Sequence, residues 1–304
     1  MRRHFFILIL IAISACSDAE QAPRLAPVVI GKLESPVIRE ASGLARSQRQ
    51  ENLLWVINDN GAKEWVHAVS PRGTRRGEFD LKKSDNRDWE DLASFTLDGK
   101  PYLLVADIGD NDAKRKSRTL YVVKEPAVAK KDKARVAWRI DFKYPDGPRD
   151  AESVAVDIEN RRALVLSKRD IPPVLYELPL LAVDDKKVTA KWLGTINSLP
   201  APSRQDVEFA PKTKDWHWQP VGMDFSEDKL AAVILTYRAV YYYTREPDQD
   251  WFDALNTRPL RVSLGRFPNA EAIAFADDKR KVVVTGENKH APLLLIDFDS
   301  RPTE

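Results

Sequence analysis

The chain has 304 residues, with 48 Lys and Arg against 46 Asp and Glu and a formal net charge of +2. That balance gives no support to nucleic-acid binding, because the densest basic run, Lys114–Arg118, is followed by no aromatic platforms and reads as a solvated loop. The single cysteine excludes an internal disulfide, and a chain of this length buries a large core without one.

Taken from its start, the chain first shows a targeting pattern. Arg2 and Arg3 precede an apolar stretch from Phe5 to Ile13 that is too short to span a bilayer. Ile13-Ser14-Ala15-Cys16 then resembles the lipobox of bacterial lipoproteins. The resemblance implies that residues 1–15 are a cleaved signal peptide and that Cys16 is lipidated on its thiol and amine. Several acyl chains make such an anchor stable where one is marginal. Ser17, in place of Asp, resembles lipoproteins passed on to the outer membrane of didermic bacteria. The expectation is a lipid-anchored envelope protein on the outer membrane, facing the periplasm. Residues 16–27 form its lipidated Cys and tether, and 28–304 a single domain.

From Pro27 onward the apolar runs are short and rich in β-branched residues, as strands require. Pro27–Gly31 comes first. The runs then fall into groups: Ala41–Ala45, Leu53–Ile57, Trp65–Val69 and a weak one near Phe79; Leu92–Phe95, Tyr102–Ala106, Leu120–Val123 and Val136–Phe142; Val154–Val156, Ala163–Leu166, Val174–Leu178 and Val188–Ile196; Met223–Phe225, Leu230–Leu235, Val240–Tyr243 and Leu260–Leu264; and Ile273–Phe275, Val282–Thr285 and Leu293–Phe298. The charged stretch Lys130–Lys133 reads as a turn between strands. Each group opens on a related segment, so that Ser42, Glu90, Glu152, Val221 and Glu271 fall in one column at spacings of 48, 62, 69 and 50 residues. Self-similarity at this period marks a repeat architecture. The last group lacks a fourth strand, and Pro27–Gly31 supplies one. The expected fold is an all-β, five-bladed β-propeller with four antiparallel strands per blade, closed by the N-terminal strand.

In a propeller the first strand of each blade lines the central channel, so equivalent residues form a ring about the axis. Ser42, Glu90, Glu152 and Glu271 make that ring, with Val221 as its apolar member. Its three carboxylates coexist only if some are protonated, if water separates them, or if a cation sits between them. All-oxygen donors suit Ca²⁺ better than a transition metal. The scattered His4, His67, His217 and His290 make no zinc set.

Two residues before the ring come Glu40, Asp88, Asp150, Gln219 and Asn269, which point the same way on a strand. The ends of the second strands share that face: Asn58–Gly61, Asp107–Asn111, Ser167–Asp170, Thr236–Arg238 and Gly286–Asn288. The expected ligand-binding residues are therefore Glu40, Asp88, Asp107, Asp110, Asn111, Asp150, Lys168, Arg238 and Glu287. A mouth holding both acids and bases suits a small anionic or polar ligand, or an envelope protein partner. Each Asn-Asp-Gly cluster alone is also what a β-turn requires. No nucleophile elbow, Walker loop, dinucleotide fingerprint or zinc-protease helix is present, and Ser42 has no rim His to activate it. Tyr241–Tyr243, Trp216 and Trp218 read as strand packing and a loop plug.

Taken together, Ser42–Leu44, Asn58–Gly61, Glu90–Ala93, Asp107–Asn111 with Arg118, Tyr144–Gly147, Asp150–Glu152 and Glu271–Phe275 resemble the pattern of a family of bacterial secreted or lipid-anchored propellers of poorly defined function. Some of its members carry labels borrowed from phytase-like esterase propellers. More distantly, the Ser/Glu ring is similar to that of the calcium-activated nucleotidases, five-bladed propellers that hold Ca²⁺ on the axis and cleave nucleoside diphosphates. The resemblance implies a Ca²⁺ site at Ser42, Glu90, Glu152 and Glu271. Val221 in the ring, and the lack of a base-stacking motif, depart from the nucleotidase pattern. Two functions stay open. One is a non-catalytic, monomeric module that binds its ligand or partner at the acidic mouth. The other is a Ca²⁺-dependent hydrolase of phosphoesters or phosphoanhydrides, with the ion as Lewis acid and Lys168 or Arg238 holding the anion.

Overall fold

The computed structural model describes residues 25–300, apart from 60, 182–186, 268 and 277–279. The expected signal segment and Cys16 lie outside the described residues. In chain order the strands are β1 (Val28–Lys32), β2 (Ala41–Arg46), β3 (Leu54–Asn58), β4 (Trp65–Val69), β5 (Arg75–Lys82), β6 (Trp89–Leu97), β7 (Lys100–Asp107), β8 (Arg118–Lys124), β9 (Asp132–Lys143), β10 (Ala151–Asp157), β11 (Arg162–Ser167), β12 (Val174–Pro179), β13 (Val188–Thr189), β14 (Lys191–Thr195), β15 (Pro220–Phe225), β16 (Ala231–Thr236), β17 (Ala239–Thr244), β18 (Leu260–Ser263), β19 (Ala270–Phe275), β20 (Lys281–Gly286) and β21 (Pro292–Asp297). The helices are short: α1 (Arg204–Phe209), followed by a 3₁₀ turn over Pro211–Trp216, and α2 (Trp251–Leu255). No helix among the described residues is long and apolar enough to cross a membrane.

The sheets run β10-β11-β12-β14, β15-β16-β17-β18, β19-β20-β21-β1 and β2-β3-β4-β5-β9-β8-β7-β6, with β13 beside β9. Within them strands pair antiparallel through short turns, as at Asp98 and Gly99 between β6 and β7. Both residues there have positive φ, 48° and 71°, the twist that a two-residue hairpin needs. The exceptions are parallel: β9 beside β5, and β13 beside β9. The strands β2, β6, β10, β15 and β19 touch in that order, and β19 returns to β2, so the first strands close on themselves. The N-terminal strand β1 pairs with β21 and covers its edge. The architecture is all-β and propeller-like.

Apolar side chains fill the spaces between consecutive sheets. Trp55 and Phe79 meet Leu92 and Val105; Leu104 and Phe142 meet Val154 and Val165; Leu164 meets Met223 and Ile234; Val233 meets Ile273 and Val284. A last cluster joins Ala272 and Val283 to Leu44 and Val56, the end of the circuit to its beginning. Each such buried large side chain contributes about 1.5–3 kcal/mol.

All five first strands carry a β-bulge at the same place. The register with the second strand skips Ser42, Glu90, Glu152, Val221 and Glu271. The sequence column is thus a column of bulged residues, and a bulge re-aims the side chain it carries. After each bulge the strands turn small residues inward, such as Gly43, Ala45, Ala93, Ser153, Ala155, Gly222, Ala272 and Ala274. A Cβ at Gly43 would lie 2.7 Å from the Leu92 nitrogen. The two larger residues in this series are Asp91 and Asp224. The Asp91 carboxylate accepts from the amides of Leu92 (2.8 Å), Val154 (2.7 Å) and Met223 (3.3 Å), on three different strands. Only a side chain on the axis reaches both β10 and β15 from β6. Asp224 accepts from Phe225 and Phe275, each at 2.9 Å.

Two details differ from the sequence expectation. Asp132 and Lys133 open β9 instead of forming a turn, and pair with Phe79 and Asp80 of β5. The outer edge of β5 offers free backbone groups, and this pairing satisfies them. The run Val188–Ile196 divides into β13 and β14, which belong to different sheets.

Candidate functional site

The bulges deliver Glu90, Glu152 and Glu271 into one cleft of about 600 Å³. The ends of the second strands supply Asp59, Asn111, Lys168, Tyr237, Arg238 and Glu287 to the same cleft. A repeated backbone bond places them. The carbonyls of Glu40, Asp88, Asp150 and Asn269 accept from the amides of Asp59, Gly109, Lys168 and Glu287. Gly109 has no side chain because Glu90 and Asp88 occupy the space where a Cβ would stand.

The cleft is crowded with acid. Burial pushes the Glu90 carboxyl well above the usual range, and Glu152, Asp59 and Asp88 push it further, against the pull of Lys168. Burial lifts Glu152 to about 7, although Lys168 opposes it. Glu271 is raised by burial and by Glu152 and Glu287. Glu271 and Glu287 share a hydrogen bond, and the Tyr237 hydroxyl bonds Glu271. Lys168 is the internal counter-ion. Its ammonium pairs with Glu152 and lies 5.4 Å from the Tyr237 ring centre. Burial alone would lower it, but Glu152, Glu90 and Asp150 hold it above its ordinary value.

Among the described residues, two groups of acidic residues have the spacing to hold a metal ion. They are Asp59 with Asp88 and Glu90, and Glu90 with Asp150 and Glu152, each offering oxygens within 4.8 Å of one another. Glu90 and Glu152 are common to this arrangement and to the expected ring, whereas Asp59, Asp88 and Asp150 join them in place of Ser42 and Glu271. The Ser42 hydroxyl is buried and donates to the Trp89 carbonyl at 2.7 Å. Glu271 faces the same cleft from the Tyr237 and Glu287 side.

The remaining expected ligand-binding residues divide in two. Asn111, Lys168, Arg238 and Glu287 line the cleft, while Glu40 lines a separate hollow with Asn58 and His67. Asp107 and Asp110 hold the 107–118 loop together. Asp107 pairs with Arg115 at 2.7 Å, and Asp110 pairs with Arg118 and accepts the Lys114 and Arg115 amides at 2.9 Å. Asp88 donates its amide to Asp107 at 3.2 Å, and Asp150 accepts from the Asp110 amide and from Arg169, both at 2.8 Å.

Several lining residues are not among the expected ligand-binding residues. Asp59 and Tyr237 lie within the second-strand ends Asn58–Gly61 and Thr236–Arg238 that the sequence places on this face, in register with Lys168 and Glu287. Phe209 and Trp216 come from α1 and the 3₁₀ turn, an insertion whose one sequence trace is the longest repeat spacing, 69 residues. Trp216 is 53% exposed on the wall of the cleft. Arg266 comes from the loop before β19.

No protein-family model and no curated protein matches the chain. Among solved structures it is similar to a luciferin-regenerating enzyme, with 10% identity over 92% of this chain and 98% of that one, at a TM-score of 0.46. It is also similar to Raptor of Chaetomium thermophilum, with 12% identity over 92% of this chain and 22% of that one, at a TM-score of 0.39.

Proposed function

We propose that the chain is a lipid-anchored envelope protein whose five-bladed propeller presents a Ca²⁺-dependent binding mouth for a small anionic ligand or a protein partner. The five-bladed reading divides the large sheet at its parallel β5–β9 pair, which leaves β2–β5 and β6–β9 as separate four-stranded meanders. The outer-membrane anchor at Cys16 rests on the sequence pattern.

The observation that carries the binding reading is the meeting of two carboxylate groups, Asp59–Asp88–Glu90 and Glu90–Asp150–Glu152, at Glu90, with the buried Lys168 ammonium paired to Glu152. Carboxylates so placed are held protonated or are balanced by a cation. An all-oxygen, acid-rich set that can vary its number of ligands fits Ca²⁺. An ion entering the Glu90–Asp150–Glu152 group takes over Glu152 from Lys168. The residues then orient the ligand at the rim of the cleft, where Lys168 and Arg238 offer positive charge.

Melting with Ca²⁺ and with chelator tests this reading. An ion bound by the folded state alone adds about 2.7 kcal/mol at a hundredfold excess over Kd. Glu90→Gln and Glu152→Gln should lose most of that gain. No shift, with no metal by elemental analysis, removes the ion from the account. A second reading, Ca²⁺-dependent hydrolysis of phosphoesters or phosphoanhydrides, draws on Lys168 and Arg238 lining the same cleft as the acids. Turnover that disappears with chelator and in Glu90→Gln would favour it over binding alone.

A further inference from the structure

We propose that the basic end of this cleft is an oxyanion subsite, in which Arg238 and Arg266 hold a phosphate or carboxylate group of the ligand. The inference rests on the reading of the mouth as a ligand site and names the chemistry of what binds there.

Arg238 follows β16 in the turn to β17 and is 6% exposed. Its Nη1 donates to the Phe267 carbonyl at 3.2 Å, which fixes the guanidinium plane. Its Nε and Nη2 are buried and have no hydrogen-bond partner among the described residues. Those two nitrogens share one edge of the guanidinium. That edge is the two-donor fork whose spacing matches a pair of oxygens on a carboxylate or phosphate. A buried donor left without a partner is costly, and a pair on one charged group is rare in protein interiors.

Arg266 brings a second guanidinium to the same place. The two cations lie 5.9 and 5.7 Å from the centre of the Phe209 ring, Arg238 and Arg266 respectively. Both line the cleft, and neither has an ion pair among the described residues. Like charges gathered on one ring without a carboxylate call for an anion from outside. Asp206 is the acid that acts on Arg238, but its Oδ2 is taken by Ser203 and Arg261, and its buried Oδ1 makes no hydrogen bond to Arg238. Burial, the larger influence, lowers the Arg238 guanidinium below its ordinary value, and Asp206 offsets only part of this. The free fork is shut off from solvent. An oxyanion therefore reaches it only by displacing the side chains that cover that edge.

Calorimetric titration of the purified full chain, in chelator, with inorganic phosphate and separately with acetate, tests the subsite. At least one anion should bind, and the better titrant identifies the group as phosphate or carboxylate. Arg266→Ala, an exposed position that leaves the fold intact, should weaken binding about tenfold, the loss of one charge-assisted contact. Arg238→Lys keeps the charge but removes the fork, and should weaken it at least as much. Circular dichroism confirms that both variants are folded. If neither anion binds the parent, the subsite does not exist. If both variants bind as the parent does, Arg238 is a structural residue balanced by Asp206, and the proposal is wrong. Because the titration contains no free divalent ion, its failure leaves the Ca²⁺ melting result standing, and the reverse also holds.

Discussion

Replacing Glu152 with Gln isolates a ring carboxyl that burial lifts from 4.5 to about 7 while Lys168 opposes the rise. A carboxyl with a raised folded-state pKa holds its proton more tightly in the folded chain than in the unfolded one. Its contribution to stability is complete below pH 4.5 and is lost as pH climbs to about 7. At about 1.4 kcal/mol per pH unit, that interval amounts to on the order of 3 kcal/mol. Glu152→Gln carries no such titration. Lys168 stays charged across the window, so losing its partner offsets the variant's curve without changing its slope. Urea unfolding in chelator, repeated across the window, should show the variant gaining on the parent by on the order of 3 kcal/mol from the acid to the neutral end. Asp91 and Asp224 are also raised, but they are common to both proteins and cancel in the difference, whereas Glu90 and Glu271 lose the push of Glu152 in the variant, which adds to its gain toward neutral pH. Added Ca²⁺ must displace the proton from Glu152, so its affinity should rise over the same window. Parallel curves, or curves that diverge in the opposite direction, would refute the reasoning.

Asp91→Ala should cost on the order of 3–9 kcal/mol, because the buried amides of Leu92, Val154 and Met223 lose their acceptor at about 1–3 kcal/mol each. Asp91→Asn keeps an acceptor oxygen and should cost less. A fall in unfolding free energy below about 1 kcal/mol for the Ala variant would show that this carboxylate does not hold the axis. Cys16→Ser should abolish acylation and move the protein from the membrane to the soluble fraction. Membrane partition equal to the parent's would remove the anchor from the reading.

Much of the fold was legible because a bulge leaves a sequence trace. A strand that must turn one side chain out of register and then pack small residues on an axis repeats the same short word. Ser42-Gly43-Leu44-Ala45 and Glu271-Ala272-Ile273-Ala274 are two copies of it. The β1–β21 pairing was also legible, from a missing strand at one end and a spare strand at the other. The parallel β5–β9 pair was not, because it depends on two outer edges meeting across about fifty residues of chain, and no local propensity records such a meeting. In the site, Glu90 and Glu152 followed from the column, but the reach of each side chain did not. Ser42 is too short to leave its own strand and bonds the neighbouring Trp89 carbonyl. Phe209 and Trp216 sit on the helical insertion before β15, and Arg266 in the loop before β19, outside the aligned first and second strands, so the column of equivalent residues does not place them.

The acids about the axis have two different fates, and their neighbours decide which. Asp91 and Asp224 have raised pKa values through burial, yet backbone amides from neighbouring strands fill their oxygens. They close the molecule, and a ligand there would have to break those bonds. Glu90, Glu152 and Glu271 are raised by burial too, but for Glu90 and Glu271 the next largest influence is the charge of Glu152, and for Glu152 it is the opposing Lys168. They share Lys168, Tyr237 and Glu287 among them, which leaves more negative charge than the cleft itself balances. A fold gains nothing from holding such a cluster on its own account, since apolar residues of similar volume would be at least as stable. The residue types at the mouth are therefore better explained by what enters the cleft than by what the fold needs. The proton that Glu152 holds near neutrality is then a stand-in for that missing positive charge.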